Sequence, residues 1–345
     1  RVQLTGAGDQ PLIRSRTDDP QAHALYLQGI AKIAQRGPAL KDAAALLEQA
    51  TARDPDYAAA WAGLSQAYEL LPWYNLGDWQ RSLAKAESAA NRALALGPQL
   101  GEAHAALANV LRDQLDFAGA MQEYHRALAL NPEASEIHNQ YAQLLGATGQ
   151  FDEAIEHARV AVSLDPLAAD PRYVLGLFLT SARRNTESST ELKQVVMRAP
   201  AFIPARYQLV FNDLFVHNYS DAERAARAAA ASAGDNPTVI TTLVRAAADP
   251  SLRPDALKLI GNMDRIGDVE LGELAQAFWY SQLGAHDEAI VALQRWAGSS
   301  GRGEVFNGMF YLWMPAFDPI RADPRFKAVL KKMGLPYKPL ETAAQ

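Results

Sequence analysis

Apolar and small residues recur along this chain at intervals of three and four, the spacing that places side chains on one face of an α-helix. The clearest stretch contains Trp61, Leu64 and Tyr68, with Ser65 beside them small enough to let a neighbouring helix approach. Proline-containing polar segments separate such stretches. The pattern therefore predicts a succession of short amphipathic helices rather than strands.

The predicted helices repeat in pairs. Windows 101–134 and 135–168 align without a gap, and markers recur at 34-residue intervals on both sides of them. The recurring markers are Pro98, Pro132, Pro166 and Pro200, and the small residues Ala86, Ala120, Ala154, Ser188 and Ala222. This period resembles that of the tetratricopeptide repeat (TPR) family. The resemblance implies an all-α fold, a right-handed superhelical solenoid of helix–turn–helix repeats, used for binding and scaffolding.

The period divides the chain into five segments. We expect a linker or disordered tail at 1–18, a regular array of about six repeats at 19–234, a degenerate helical pair at 235–268, a TPR-like repeat at 269–297, and capping helices and a tail at 298–345. The second repeat is nine residues too long, and the excess falls at 72–80.

Acidic or amide residues followed by proline mark where several helices begin. Asp19-Pro20, Asn236-Pro237 and Asp323-Pro324 combine a side chain that can cap free N–H groups with a proline suited to the first turn. The last of these helices carries an apolar stripe of Phe326, Val329, Leu330 and Met333 before Gly334. It suits a cap over the exposed end of the array.

The first helix of each repeat, here termed the A helix, lines the concave groove in proteins of this kind. Projecting these helices predicts an amide-rich half and an aromatic half. The expected partner-binding residues are Gln66, Asn109, Arg112, Asn139, Gln143, Tyr173, Tyr207 and Phe211. Amides can both donate to and accept from a peptide backbone, and aromatic rings provide apolar anchors. The alternative is that these residues are solvated or pack between repeats.

A carboxylate clamp of the type that some TPR proteins use is not expected. Asn109 fits one of its positions, but Gln140, Asp170 and Val174 stand where the clamp requires donors.

Two further features allow either a contact surface or ordinary packing. The 72–80 excursion carries Trp73, Tyr74 and Trp79, which form a candidate loop contact or fold back between the helices. The C-terminus is locally basic, and we interpret it as a solvated face rather than a docking patch for an acidic partner. Its basic residues are Arg321, Arg325, Lys327, Lys331, Lys332 and Lys338.

Composition narrows the chemistry further. The 345 residues are 49% hydrophobic and 21% charged, which is ordinary for a folded soluble protein, and the net charge of −6 disfavours nucleic acid as a partner. The absence of cysteine excludes disulfides, zinc–thiolate sites and thiol nucleophiles. The seven histidines lack metal-ligand spacing, and His104 and His138 share one repeat position, which indicates packing between neighbouring A helices. We expect no catalytic residues, no bound metal, no cofactor and no membrane insertion.

A second resemblance is narrower. The opening 19–29, the long second repeat and the ending 318–334 are similar to the TPR segment of bacterial multidomain regulators. In that group an output domain, either winged-helix or adenylate cyclase, precedes a membrane helix and the TPR array. The resemblance implies a sensory, periplasmic segment, and the first residue, Arg1, is consistent with a fragment or processed product.

Two functions follow from these patterns. The first is a non-catalytic scaffold that binds a protein or peptide in the concave groove. The second is a ligand-sensing ectodomain that signals to an output domain. The sequence does not identify the partner or the oligomeric state.

Overall fold

The structure is a computed structural model that describes residues 17–234, 236–261, 265–266, 269–270, 272–298, 306 and 308–337. Residues 1–16 of the expected tail, the glycine-rich stretch 299–305 and Lys338 of the basic C-terminus lie outside the described residues. The chain divides into two compact units, the first ending at Glu133 and the second beginning at Ala134.

Unit 1 consists of three antiparallel helix pairs. In chain order its helices are α1 (Pro20–Gln35), α2 (Ala39–Arg53), α3 (Ala58–Trp73), α4 (Trp79–Leu96), α5 (Gly101–Asp113) and α6 (Phe117–Leu130). The odd-numbered members are the A helices, and their partners are termed B helices. The carboxylate of Asp19 accepts hydrogen bonds from the backbone N–H groups of Gln21 and Ala22, which confirms the predicted first helix start.

Unit 2 continues the pairs and then departs from them. Its helices are α7 (Ser135–Ala147), α8 (Phe151–Leu164), α9 (Ala169–Ser181), α10 (Asn185–Arg198), α11 (Ile203–Phe215), α12 (Tyr219–Ala233), α13 (Pro237–Ala248), α14 (Arg253–Ile260), α15 (Glu273–Gln282), α16 (His286–Trp296) and α17 (Pro324–Lys332). Three 3-10 helices, Pro250–Leu252, Phe310–Trp313 and Pro315–Ile320, complete the helical segments described. The expected all-α class of paired repeats is confirmed.

One small element was not expected. Strands β1 (Arg265–Ile266) and β2 (Val269–Glu270) form a two-residue antiparallel ladder between α14 and α15, with Arg265 opposite Glu270. So short a ladder carries no periodic signal in the sequence.

Small residues form the contact between helices, as the sequence predicts. Ala86, Ala120, Ala154, Ser188 and Ala222 are all fully buried at successive equivalent positions of the B helices. Side chains of this size let helix axes approach near the short end of the roughly 8–10 Å range for packed helices. The 34-residue period of small residues therefore reflects close packing between helices.

The turn from A helix to B helix is also periodic. Leu115, Gly149, Arg183 and His217 lie 34 residues apart and all adopt left-handed backbone conformations, with φ of 64°, 75°, 64° and 58°. Only glycine adopts this conformation without a steric cost from Cβ. The three other side chains therefore occupy a conformation that their residue types disfavour.

The C-terminal helix has the buried apolar stripe that the sequence predicts. Phe326, Val329, Leu330 and Met333 are buried, and the carboxylate of Asp323 accepts a hydrogen bond from the backbone N–H of Arg325. Gly334 adopts a φ of 71° immediately after the helix, the conformation that ends many helices at glycine.

Candidate partner-binding surface

In unit 1 the predicted binding residues differ in accessibility. Gln66 on α3 is half-buried, whereas Asn109 and Arg112 on α5 are each only 2% exposed. The Arg112 guanidinium donates to Glu69 Oε1 at 2.6 Å and to Asp113 Oδ1 at 2.9 Å. Asn109 Oδ1 accepts a hydrogen bond from the hydroxyl of Tyr124 on α6. Arg112 therefore connects α3 to α5 within a buried network rather than standing free.

The network brings three ionisable side chains together. Two carboxylates, Glu69 and Asp113, bond to the Arg112 guanidinium, and all three side chains are at most 3% exposed. The charge of Arg36 also acts on Glu69 and favours its ionised form. Burial raises the pKa of Glu69 to about 7, although Arg112 opposes the shift. Burial also raises the pKa of Asp113. Burial would lower the pKa of Arg112, but its carboxylate neighbours dominate and raise it, so the arginine stays charged.

In unit 2 the amide positions lie on α7. Asn139 is fully buried, and its Nδ2 donates to Asp170 Oδ2 on α9 at 2.7 Å. Because a carboxylate can only accept, this bond fixes the amide orientation and leaves Oδ1 as the acceptor. No donor among the described residues reaches Asn139 Oδ1 or the neighbouring Gln140 Oε1. Each such buried atom costs about 1–3 kcal/mol until a donor is supplied. Gln143, one turn further on, is half-buried.

The aromatic positions of unit 2 are mostly committed to packing. Tyr207 and Phe211 on α11 are 5% and 2% exposed, and the Phe211 ring lies 4.7 Å from that of Phe278 on α15. Tyr173 on α9 is half-buried, with its ring 5.3 Å from that of Phe202. Of the eight predicted groove residues, only Gln66, Gln143 and Tyr173 thus retain a partly accessible side chain. Their binding role stays a prediction.

The three aromatic residues of the long second repeat separate into two groups. α3 extends through Trp73 and α4 begins at Trp79, with their rings 6.4 Å apart, and the Arg112 guanidinium lies 5.2 Å from the Trp73 ring. These two side chains are half-buried and pack onto unit 1. Tyr74, in contrast, is 40% exposed. Tyr74 is therefore the loop aromatic that remains accessible to a partner.

The histidines pair within repeats, with residues of their own B helices, rather than between neighbouring A helices as the shared repeat position predicted. His104 Nδ1 lies 2.6 Å from Glu123 Oε2, and His138 Nδ1 lies 2.8 Å from His157 Nδ1 at the equivalent repeat positions. In the next repeat the same positions hold Arg172 and Glu191, which form an ion pair. The three pairs each connect an A helix to its own B helix.

Comparison with known proteins identifies the repeat. The tetratricopeptide repeat model matches residues 105–171, the region of α5 to α8 and the start of α9. Residues 105–171 belong to the tetratricopeptide repeat family. Helix pairs of the same design continue on either side, so the sequence-based recognition of TPRs is confirmed. No curated protein matches the chain by sequence.

Solved TPR structures resemble the chain at low identity. Pseudomonas aeruginosa PilF is 21% identical over 61% of this chain and 90% of its own, with a TM-score of 0.48. Yeast Tom70 is 15% identical over 95% and 70%, with a TM-score of 0.49. YrrB, described as a TPR protein with an unusual peptide-binding site, is 18% identical over 55% and 93%, with a TM-score of 0.41. These likenesses are too distant to transfer a partner.

Other kinds of site are not seen in the described part of the chain. No group of three or more His, Asp or Glu side chains there converges as metal ligands would. None of the helices described there is both long enough and apolar enough to cross a membrane.

Sequence reasoning was wrong about Arg321 and missed the residues around it. Arg321 is 4% exposed rather than solvated, and its guanidinium donates to Asp318 Oδ1 at 3.1 Å and to the Leu312 carbonyl at 3.3 Å. Asp318 is also paired with Arg183, from the α9–α10 turn. The signal available in the sequence was Arg183, which stands at the turn position that Gly149 occupies in the preceding repeat.

Proposed function

We propose that this TPR chain is a non-catalytic scaffold that binds a protein or peptide through the A-helix faces. The observation that carries the proposal is the set of accessible side chains on those faces: Gln66 on α3, Gln143 on α7 and Tyr173 on α9 are partly exposed among otherwise buried residues. An amide offers a donor and an acceptor to an extended backbone, and a half-buried tyrosine ring offers an apolar anchor with a polar tip.

The unsatisfied acceptors of α7 support the same proposal. Asn139 Oδ1 and Gln140 Oε1 lack donors among the described residues, on the helix that also carries Gln143. Both atoms are buried, so a partner N–H reaches them only after side chains of α7 move, and that contact would then remove the penalty of an unpaired acceptor.

The test is selection of binders from a random peptide library displayed on phage, followed by affinity measurement. We expect Gln143→Ala and Tyr173→Ala to weaken the selected peptides at least tenfold, about 1.4 kcal/mol each. Gln122→Ala and Gln194→Ala are matched controls, because these glutamines lie on the B helices α6 and α10 and retain partial or full exposure. Unchanged affinity in the A-helix variants, or loss in the controls alone, would contradict the proposal.

The finer alternative is a ligand-sensing ectodomain of a membrane-anchored transcriptional or adenylate cyclase regulator, placed in the periplasm. It is supported by the similarity of 19–29 and 318–334 to such regulators. This function predicts thermal stabilisation by a metabolite. A broad metabolite panel that leaves the melting temperature unchanged would count against it.

A further inference from the structure

The segment 308–321 of unit 2, here termed the strap, is buried although little of it is regular α-helix. It contains the 3-10 helices Phe310–Trp313 and Pro315–Ile320. Its large side chains are almost wholly inaccessible: Trp313 and Phe317 are 2% and 0% exposed, and Leu312 and Met314 are 0% exposed. The strap is therefore held by surfaces that other parts of unit 2 provide.

Those surfaces are the ends of A helices far away in sequence. The Trp313 indole N–H donates to the carbonyl of Ala147, the last residue of α7, at 2.8 Å. The Ser281 hydroxyl near the end of α15 donates to the Ala316 carbonyl at 2.6 Å. The Phe310 ring lies 6.0 Å from that of Phe178 on α9. The first contact joins residues 166 apart, whereas most contacts between helix pairs join neighbours in sequence.

The contacts are those by which a receptor holds a peptide. Arg183 Nη1 donates to the Trp313 carbonyl at 2.8 Å, and its Nη2 is paired with the Asp318 carboxylate. The Trp313 ring lies 6.2 Å from that of Phe151, the first residue of α8. One aromatic side chain is thus seated between helices, one backbone carbonyl is bonded, and one carboxylate is paired with an arginine. Buried aromatic and arginine contacts of this kind dominate peptide and protein interfaces.

The backbone at Arg183 points to the same role. Arg183 adopts a left-handed φ of 64° at the repeat position that Gly149 occupies one repeat earlier. Glycine would remove the steric cost of that conformation but could not reach the strap. The bonds from the Arg183 side chain to Trp313 and Asp318 offset the steric cost of its left-handed backbone.

We propose that the A-helix ends of unit 2 form a peptide site that the strap occupies as an intrachain ligand. Its chemistry is defined by the occupant: a tryptophan whose indole N–H reaches the end of α7, followed five residues later by a carboxylate for Arg183. A partner peptide with this pattern competes with the strap. The inference deepens the proposed binding function and rests on it, but places the site at the helix ends rather than at Gln143 and Tyr173.

The test uses the full chain and a fluorescein-labelled synthetic peptide with the sequence of 308–321. In the wild type the tethered strap is present at an effective concentration in the millimolar range, so the free peptide should bind weakly or not at all. In the double variant Trp313→Ala, Asp318→Ala the occupant loses both anchors while its receptor residues remain. Fluorescence anisotropy should then show saturable binding at least tenfold tighter than to the wild type.

Adding Arg183→Ala to that double variant should abolish the new binding, because it removes the receptor arginine. Equal binding to wild type and double variant, or no binding to a double variant that keeps its far-UV circular dichroism, would overturn the proposal. If the alanine variant does not fold, Trp313→Phe with Asp318→Asn keeps the strap's shape and removes its indole donor and its charge. That variant must also bind the peptide more tightly than the wild type does.

Hydrogen exchange of the unmodified protein gives an independent test. The amides of Met314, Phe317 and Arg321 are hydrogen-bonded within the strap. They should exchange through an opening that leaves the α7 amides of Leu144 and Leu145 protected, and millimolar free peptide should increase their exchange. Exchange of both sets only by global unfolding would show that the strap is a fixed part of the core. Because neither test uses Gln143, Tyr173 or an external partner, failure here is distinguishable from failure of the proposed function.

Discussion

Single side chains at equivalent repeat positions determine how each A helix is held to its B helix. His104 faces Glu123 and Arg172 faces Glu191, both combinations that become or remain attractive when the basic partner is charged. His138 faces His157 instead, with Nδ1 atoms 2.8 Å apart, so one ring must donate to the other. The His138–His157 pair therefore lacks the charge attraction available where a basic side chain meets a carboxylate.

The histidine pair therefore predicts that one substitution strengthens the contact between α7 and α8. His157→Glu recreates the His104–Glu123 arrangement there and should stabilise the protein by about 1.5–3 kcal/mol, the usual range for a hydrogen bond to a charged group. The reciprocal change, Glu123→His, should destabilise it. Urea unfolding measures both changes. No gain from His157→Glu, or no loss from Glu123→His, would contradict the interpretation.

The buried carboxylate of Glu69 predicts a pH dependence of stability. Its pKa is about 7 in the folded protein against 4.5 as the ordinary value, so the folded state holds the proton more tightly. The stabilisation is fully present below pH 4.5 and is lost as the pH rises through 7. The loss should reach about 1–3 kcal/mol, since one pKa unit corresponds to about 1.4 kcal/mol and Arg112 retains part of the pairing energy.

Glu69→Gln tests this directly. The amide keeps an oxygen for Arg112 but cannot ionise, so the free energy of unfolding should vary less between pH 5 and pH 8 than in the wild type. Glu156→Gln is a control, because Glu156 is an exposed residue on α8. A wild-type pH profile retained in Glu69→Gln would exclude Glu69 as the responsible group.

At the scale of elements, two left-handed turns between A and B helices allow the cost of backbone strain to be compared with the contribution of a side chain. His217 is exposed and has a φ of 58°, so His217→Gly should relieve backbone strain and stabilise the protein by about 1 kcal/mol. Arg183→Gly makes the same backbone change but deletes the bonds to Trp313 and Asp318, and should destabilise it by at least 1 kcal/mol. Melting temperatures of the two variants shift in opposite directions on this account. A gain in stability for both would show that the Arg183 side chain contributes little.

The elements that sequence could predict are those defined by local signals. The cap at Asp19, the close-packed alanines of the B helices and the apolar stripe ending at Gly334 depend on residues within one or two helical turns of each other. The buried state of Arg112 was not predictable in that way, because its acceptor Glu69 lies 43 residues earlier. Read along α5 alone, Arg112 has the pattern of a solvated groove residue.

The burial of the strap was not predictable for the same reason, because its contacts join residues still further apart in sequence. Its contacts join Trp313 to Ala147 and Arg183 to Asp318, across 166 and 135 residues. Irregular 3-10 segments have no sequence period that marks a buried face. The basic residues that follow also favoured the prediction of a solvated surface. The aromatic run around Phe310 to Phe317 was the available sign that this segment needed a surface to cover it.

At the scale of the whole molecule, contacts in unit 1 follow chain order, whereas unit 2 is also connected by the strap. Trp313→Phe deletes one indole donor and should cost about 1 kcal/mol. We expect faster hydrogen exchange at Thr148 and Gln150, whose amides close the end of α7 beside Ala147, and unchanged exchange in α1 to α4. An effect confined to residues near 313 in sequence would contradict this coupling.

The strap also bears on how such a protein can change length. The pairs His104–Glu123, His138–His157 and Arg172–Glu191 each lie inside one repeat, so duplicating or deleting a 34-residue repeat separates none of these three pairs. Adding a repeat between α10 and α15, however, would carry Ser281 away from Arg183 and Ala147, and one strap could no longer reach all three. Repeat expansion is thus tolerable where contacts are only between neighbours, whereas the stretch from α7 to the strap has a fixed number of repeats.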